Sequence, residues 1–176
     1  MSYTRNLIHI AIFIALGLTL PMVFHLVGGA GPVFLPMHIP VFMAGLLLGI
    51  RGGLTTGALT PVVSSIMTGM PPLLPMLPVM AAELGVYGAL AGYLYKERKL
   101  PLIGALVAAM IAGRMAALSV VACLAGLFGL TMNPMTYITG VITTGIPGVA
   151  IQLVFVPLLV KKLEAAGTVR RNAHDS

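Results

Sequence analysis

Two ionisable side chains stand inside otherwise apolar stretches of the chain: Glu83, in Pro78-Val79-Met80-Ala81-Ala82-Glu83-Leu84, and Arg114, in the run from Leu102 to Leu130. A charge left facing lipid costs several kcal/mol, so an ionisable group in such a run needs a partner or a ligand. Glu83 precedes Lys96 by thirteen residues and Arg114 follows Lys99 by fifteen. At about 1.5 Å of rise per residue, adjacent antiparallel helices present the two at one level, roughly 20 Å from the charged loop that joins them. Two chemistries fit that placement. One is a buried structural ion pair, each group satisfying the other. In the other, Arg114 receives an anionic group of a ligand, bidentately if it is a carboxylate, while Glu83 positions the guanidinium. Further polar residues gather toward one end of the runs: His38 in Met37-His38-Ile39-Pro40, then Asn133 and Tyr137, with Phe34 and Met37 as apolar walls. A concave apolar site with a few convergent polar groups is what a small-molecule pocket needs. Thr60, Ser64 and Ser65 are expected to hydrogen-bond back to their own helix, as hydroxyls in apolar helices commonly do.

Other chemistries lack their residues. His9, His25, His38 and His174 are far apart, with no pair at helical spacing, so no metal site is expected. No HExxH or GxSxG occurs, and no lysine follows a glycine to form a phosphate loop, so catalysis, ATP hydrolysis and a bound cofactor are not expected. Cys123 is the single cysteine, which excludes an internal disulfide.

The elements that must hold these residues are apolar. Of 176 residues 59% are hydrophobic and 8% charged, against about 25% charged in a typical soluble domain. That composition leaves too few polar side chains to cover a water-exposed surface. The net charge of +6 comes from 10 basic and 4 acidic residues, and the basic ones lie between apolar runs. That is the pattern of a membrane protein and not of a nucleic-acid binder, which clusters its basic residues on one surface. Six runs follow one another over 7–27, 37–50, 54–67, 75–95, 102–130 and 136–160, predicting an all-α, six-helix bundle as a single domain over 1–176, with a polar tail over 163–176. The second and third runs are short for a membrane crossing and are expected to lie inside the bundle or to be partly extended by their flanks. Arg51-Gly52-Gly53 reads as a tight turn between them. With six crossings, Arg5, Arg51, Lys96, Arg98, Lys99, Lys161, Lys162, Arg170 and Arg171 fall on one side, nine of the ten basic residues. The positive-inside rule puts that side, and both termini, in the cytoplasm.

Small residues mark the contact faces. Twenty-one glycines include the patterns Gly45-Gly49 and Gly85-Gly88-Gly92, suited to close helix packing. Ala11 and Ala15, four apart on the first helix, leave a flat strip on which a helix of a second chain can dock.

In size, in six helices with both ends inside, in Ala11-x-x-x-Ala15, and in Leu35-Pro36-Met37-His38-Ile39-Pro40-Val41-Phe42-Met43-Ala44-Gly45 through Thr60-Pro61 and Gly69-Met70-Pro71-Pro72, the chain resembles the substrate-binding S components of energy-coupling factor (ECF) vitamin transporters. The likeness covers about residues 5 to 162 and looks closest to the riboflavin-type and pantothenate-type branch. It implies a plasma-membrane subunit that binds one vitamin near its outer face, under the Gly28–Pro36 loop. It also implies partners: a membrane coupling protein contacting Ala11 and Ala15, and two ATPase subunits that hydrolyse ATP in its place. Met37-His38-Ile39-Pro40 is similar to the start of cobalt and nickel S components, but here it is internal and lacks their following Asp-Gly, against a metal substrate. Among vitamins, pantothenate is favoured, since its carboxylate suits Arg114 and the chain has no tryptophan and few aromatics to stack a flavin; riboflavin comes next. Two other classes stand beside this one: a self-sufficient secondary transporter or channel for a small organic solute, and a non-transport membrane scaffold.

Overall fold

A computed structural model describes residues 3–26, 34–128 and 134–166. Within them the chain forms helices α1 (Tyr3–Leu26), α2 (His38–Leu48), α3 (Ile50–Thr68), α4 (Met76–Gly92), α5 (Leu102–Phe128) and α6 (Pro134–Ala165). A π-turn over Tyr93–Glu97 extends α4. No strand occurs among the described residues. The last helix runs five residues beyond the expected 160, into the segment read as a polar tail; 167–176 lie outside the described residues.

Four stretches are long and apolar enough to cross a membrane by themselves: Thr4–Val23, Met76–Glu97, Leu102–Leu127 and Thr143–Ala165. Their outward faces carry large apolar side chains, among them Leu7, Ile8 and Ile12 on α1 and Ile103, Ile111 and Met115 on α5. Water would penalise such faces and lipid does not. Helix α2 has 11 residues, about 16 Å of rise, well short of a bilayer core. Its exposure explains how it can be short: every residue from His38 to Leu47 except Ile39 is buried, with Val41, Phe42, Ala44 and Leu46 fully so. Because other helices surround it, it has no lipid to cross.

Glycine sets how closely α2, α3 and α4 approach. A Cβ placed on Gly53 or on Gly45 would land on the backbone carbonyl of Gly88, and one on Gly57 would land on that of Leu84. Backbone meets backbone there with no side chain between. The expected turn at Arg51-Gly52-Gly53 is therefore corrected. These residues lie inside α3, and the chain reverses two residues earlier at Gly49, whose φ of +83° suits glycine. Gly53 is a packing glycine and not a turn glycine. Gly69, at φ +73°, closes α3 with its N–H donating to the Ser65 carbonyl at 2.9 Å, as a left-handed C-cap does. Helix α1 crosses α3 where Gly17 faces Thr60.

The basic end of the bundle is tied separately. Lys96 Nζ donates to the Leu47 carbonyl at the C-terminus of α2, a favourable place for a cation. The Tyr95 hydroxyl donates to the Glu164 carboxylate at 3.1 Å, joining the end of α4 to α6.

Candidate functional site

At the end of the bundle opposite Arg51, Lys96 and Lys162 the helices part around a cavity of about 850 Å³. Every described helix lines it: Leu18 and Met22 from α1, His38 from α2, Ser64 and Thr68 from α3, Glu83 from α4, Arg114 from α5, and Tyr137 and Thr144 from α6. The connections before α2 and after α3 close one side, through Leu35, Pro36 and Met37 and through Met70, Pro71 and Pro72. Proline and the left-handed Gly69 stop the helices there, which leaves backbone free to form walls.

Glu83 and Arg114 meet in this cavity. Arg114 Nη1 lies 2.5 Å from Glu83 Oε1, and the Glu83 side chain is 4% exposed against 17% for Arg114. One helical turn on, the Tyr87 hydroxyl donates to the same Oε1 at 2.8 Å. Glu83 is thus held from two sides, while the guanidinium still reaches the cavity with N–H groups that the pair does not use. Arg114 also borders a second cleft of about 590 Å³ between α5 and α6, lined by Met110, Ile111, Gly145, Ile146 and Val149 among others.

His38 lies beside this network. Its ring tilts against that of Tyr87, with centroids 5.3 Å apart, and Tyr87 in turn stacks on Phe42 at 5.0 Å. The residue is 4% exposed, and neither ring nitrogen has a hydrogen-bond partner among the described residues. Buried polar groups are nearly always paired, so an orphaned imidazole on a cavity wall marks a place for a ligand or a water.

Of the residues singled out by sequence, Glu83, Arg114, His38, Met37 and Tyr137 line the one cavity. Phe34 is half-buried beside it and outside its lining. Asn133 lies outside the described residues. Ala11 and Ala15 are exposed on α1, away from the buried face carried by Phe13 and Gly17. Thr60 bonds back to Thr56 of its own helix at 2.6 Å as expected. Ser64 is a correction: its hydroxyl donates to the Met70 carbonyl at 2.7 Å, pinning the loop that walls the cavity. That loop carbonyl has no helical donor of its own and so competes successfully for the hydroxyl. Tyr87 and the wall methionines Met70, Met76 and Met80 escaped the sequence reading. The signal for Tyr87 was its spacing of four from Glu83, which places both on one helix face. Nothing in the spacing of the methionines distinguishes a cavity wall from a packed core.

Among the described residues no group of three His, Cys, Asp or Glu side chains is placed to hold a metal ion. No curated protein and no solved structure matches the chain. Residues 5–160 match the family model described as "ECF transporter, substrate-specific component", and with nearly the whole helical bundle covered, this multi-pass membrane protein belongs to that family.

Proposed function

We propose that the chain is the substrate-binding S component of an ECF-type ABC importer, and that it captures a small water-soluble vitamin in the 850 Å³ cavity for ATP-driven uptake. The carrying observation is the cavity itself, which has apolar walls and gathers Glu83, Arg114, His38 and Tyr137 in one lining. A volume of this size falls within the range of small-molecule sites. All six helices are embedded, α2 shielded within the bundle while α3, against the expectation from its length, turns Leu54, Leu59, Ile66 and Met67 outward, and both termini are cytoplasmic. That orientation follows from the basic residues Arg51, Lys96, Arg98, Lys99, Lys161 and Lys162 at the end remote from the cavity. The cavity then opens on the outer side, where a scavenged solute arrives. The exposed Ala11 and Ala15 strip on α1 receives the membrane coupling protein. ATP is hydrolysed on two separate subunits.

The test is thermal unfolding of the purified, detergent-solubilised protein against a panel of vitamins headed by pantothenate and riboflavin. A ligand at a hundred times its dissociation constant adds about 2.7 kcal/mol of stability. A shift with one member names the substrate. No shift with any member refutes vitamin capture by this cavity.

A further inference from the structure

The substrate-binding reading leaves open which charge class of molecule the cavity accepts, and the residues present bear on that. The described lining holds two charged groups, Glu83 and Arg114, and they neutralise one another across 2.5 Å. The remaining wall is Leu18, Met22, Leu35, Met37, Met70, Met76, Met80 and prolines, with a few hydroxyls. A ligand carboxylate brought to Arg114 would also face Glu83. It would add an unbalanced negative charge to a site whose own charge is already closed, and buried like charges oppose one another strongly.

Charge is used up there, but hydrogen-bonding capacity is not. Arg114 makes one ion-pair contact and carries five N–H donors. His38 has one donor and one acceptor as an imidazole, both buried and without a well-formed hydrogen bond among the described residues, although the Leu35 carbonyl lies close enough to act on the ring. The Tyr87 hydroxyl is committed to Glu83, and the Tyr87 ring packs against that of His38. A molecule that matches this wall offers His38 a group able to donate and accept, such as a hydroxyl or an amide. It offers Arg114 a neutral oxygen and lays an apolar body against the methionines, whose flexible thioethers adapt to its shape.

Resting on the proposed function above, we infer that the cavity selects uncharged, amphipathic small molecules, with His38 as the specificity-determining hydrogen-bond partner and Glu83 as the group that discriminates against carboxylates. Pantothenate's acid group is then a disadvantage and not the recognition element.

Matched pairs differing only in that charge test this on the full chain in detergent, by calorimetric titration: pantothenate against pantothenol, biotin against biotinamide, and nicotinate against nicotinamide, with riboflavin as a further neutral probe. The expected result is that, in any pair that binds, the neutral member binds at least tenfold more tightly than the acid. Glu83→Gln retains an oxygen for Tyr87 but frees the guanidinium's charge, and should move the acid-to-neutral affinity ratio at least tenfold toward the acid. His38→Phe keeps the ring against Tyr87 and should weaken whichever neutral probe binds at least tenfold. An acid that binds the unsubstituted protein more tightly than its neutral partner overturns the inference and leaves the substrate-binding reading intact. An unchanged affinity in His38→Phe removes His38 from its assigned role. If every probe including riboflavin fails to bind, both the vitamin-capture reading and this inference fall together.

Discussion

Cutting Arg114 back to methionine removes a charge from a site where its partner has nowhere else to turn. Glu83 is 4% exposed and keeps only the Tyr87 hydroxyl at 2.8 Å once the guanidinium is gone. Breaking a buried pair from one side costs about 3 to 5 kcal/mol, because a charge is left buried without compensation. For a chain of this length each kcal/mol moves the unfolding midpoint by about 2 to 4 °C, so Arg114→Met should lower it by roughly 6 to 20 °C. Glu83→Gln leaves the guanidinium unpaired and should cost a similar amount. The double variant removes both charges, and the amide still accepts the Tyr87 hydroxyl. It should return to within about 2 kcal/mol of the parent, since two missing charges cost less than one. The chain has no tryptophan, so helical circular dichroism rather than intrinsic fluorescence should follow the unfolding. If the double variant falls by the sum of the two single losses, to within about 0.5 kcal/mol, Glu83 and Arg114 are not energetically coupled. The geometry would then have been misread.

Two further outcomes are expected from the packing. Gly53→Ala drives a methyl group onto the Gly88 carbonyl and should destabilise by about 1 to 3 kcal/mol through overpacking. Gly104→Ala, on α5 where nothing lies within 4 Å, should be neutral or stabilise by roughly 0.5 to 1 kcal/mol; equal thermal midpoints for the two variants would contradict the close α3–α4 contact. Ala11→Trp and Ala15→Trp, both on exposed positions, should abolish uptake in cells while leaving ligand binding by the isolated protein unchanged. Co-purification of the coupling protein with either variant at the parental level would remove the strip from the interface.

Periodicity and charge make much of this chain legible without coordinates. A run of apolar residues bounded by glycine, proline or lysine has few options, because an unpaired backbone in lipid is costly and a helix pairs its own groups. The helices α1, α4, α5 and α6 therefore lie close to where the runs place them, and two depths measured along antiparallel helices put Glu83 and Arg114 at one level, while the ion pair itself is seen only once the helices pack. Position along one helix is a local quantity, and so it can be read locally. Which glycine turns and which packs is not local: Gly49 and Gly53 look alike in sequence, and the difference lies in the Gly88 carbonyl that reaches Gly53 from another helix. The same holds for the cavity. Met70, Met76 and Met80 become a wall, the His38 ring packs on Tyr87 with its nitrogens short of a well-formed hydrogen bond among the described residues, and Ser64 turns from its own helix to the Met70 carbonyl. Each of these depends on which atoms of distant segments come within a few ångströms, and that proximity arises only when the helices pack.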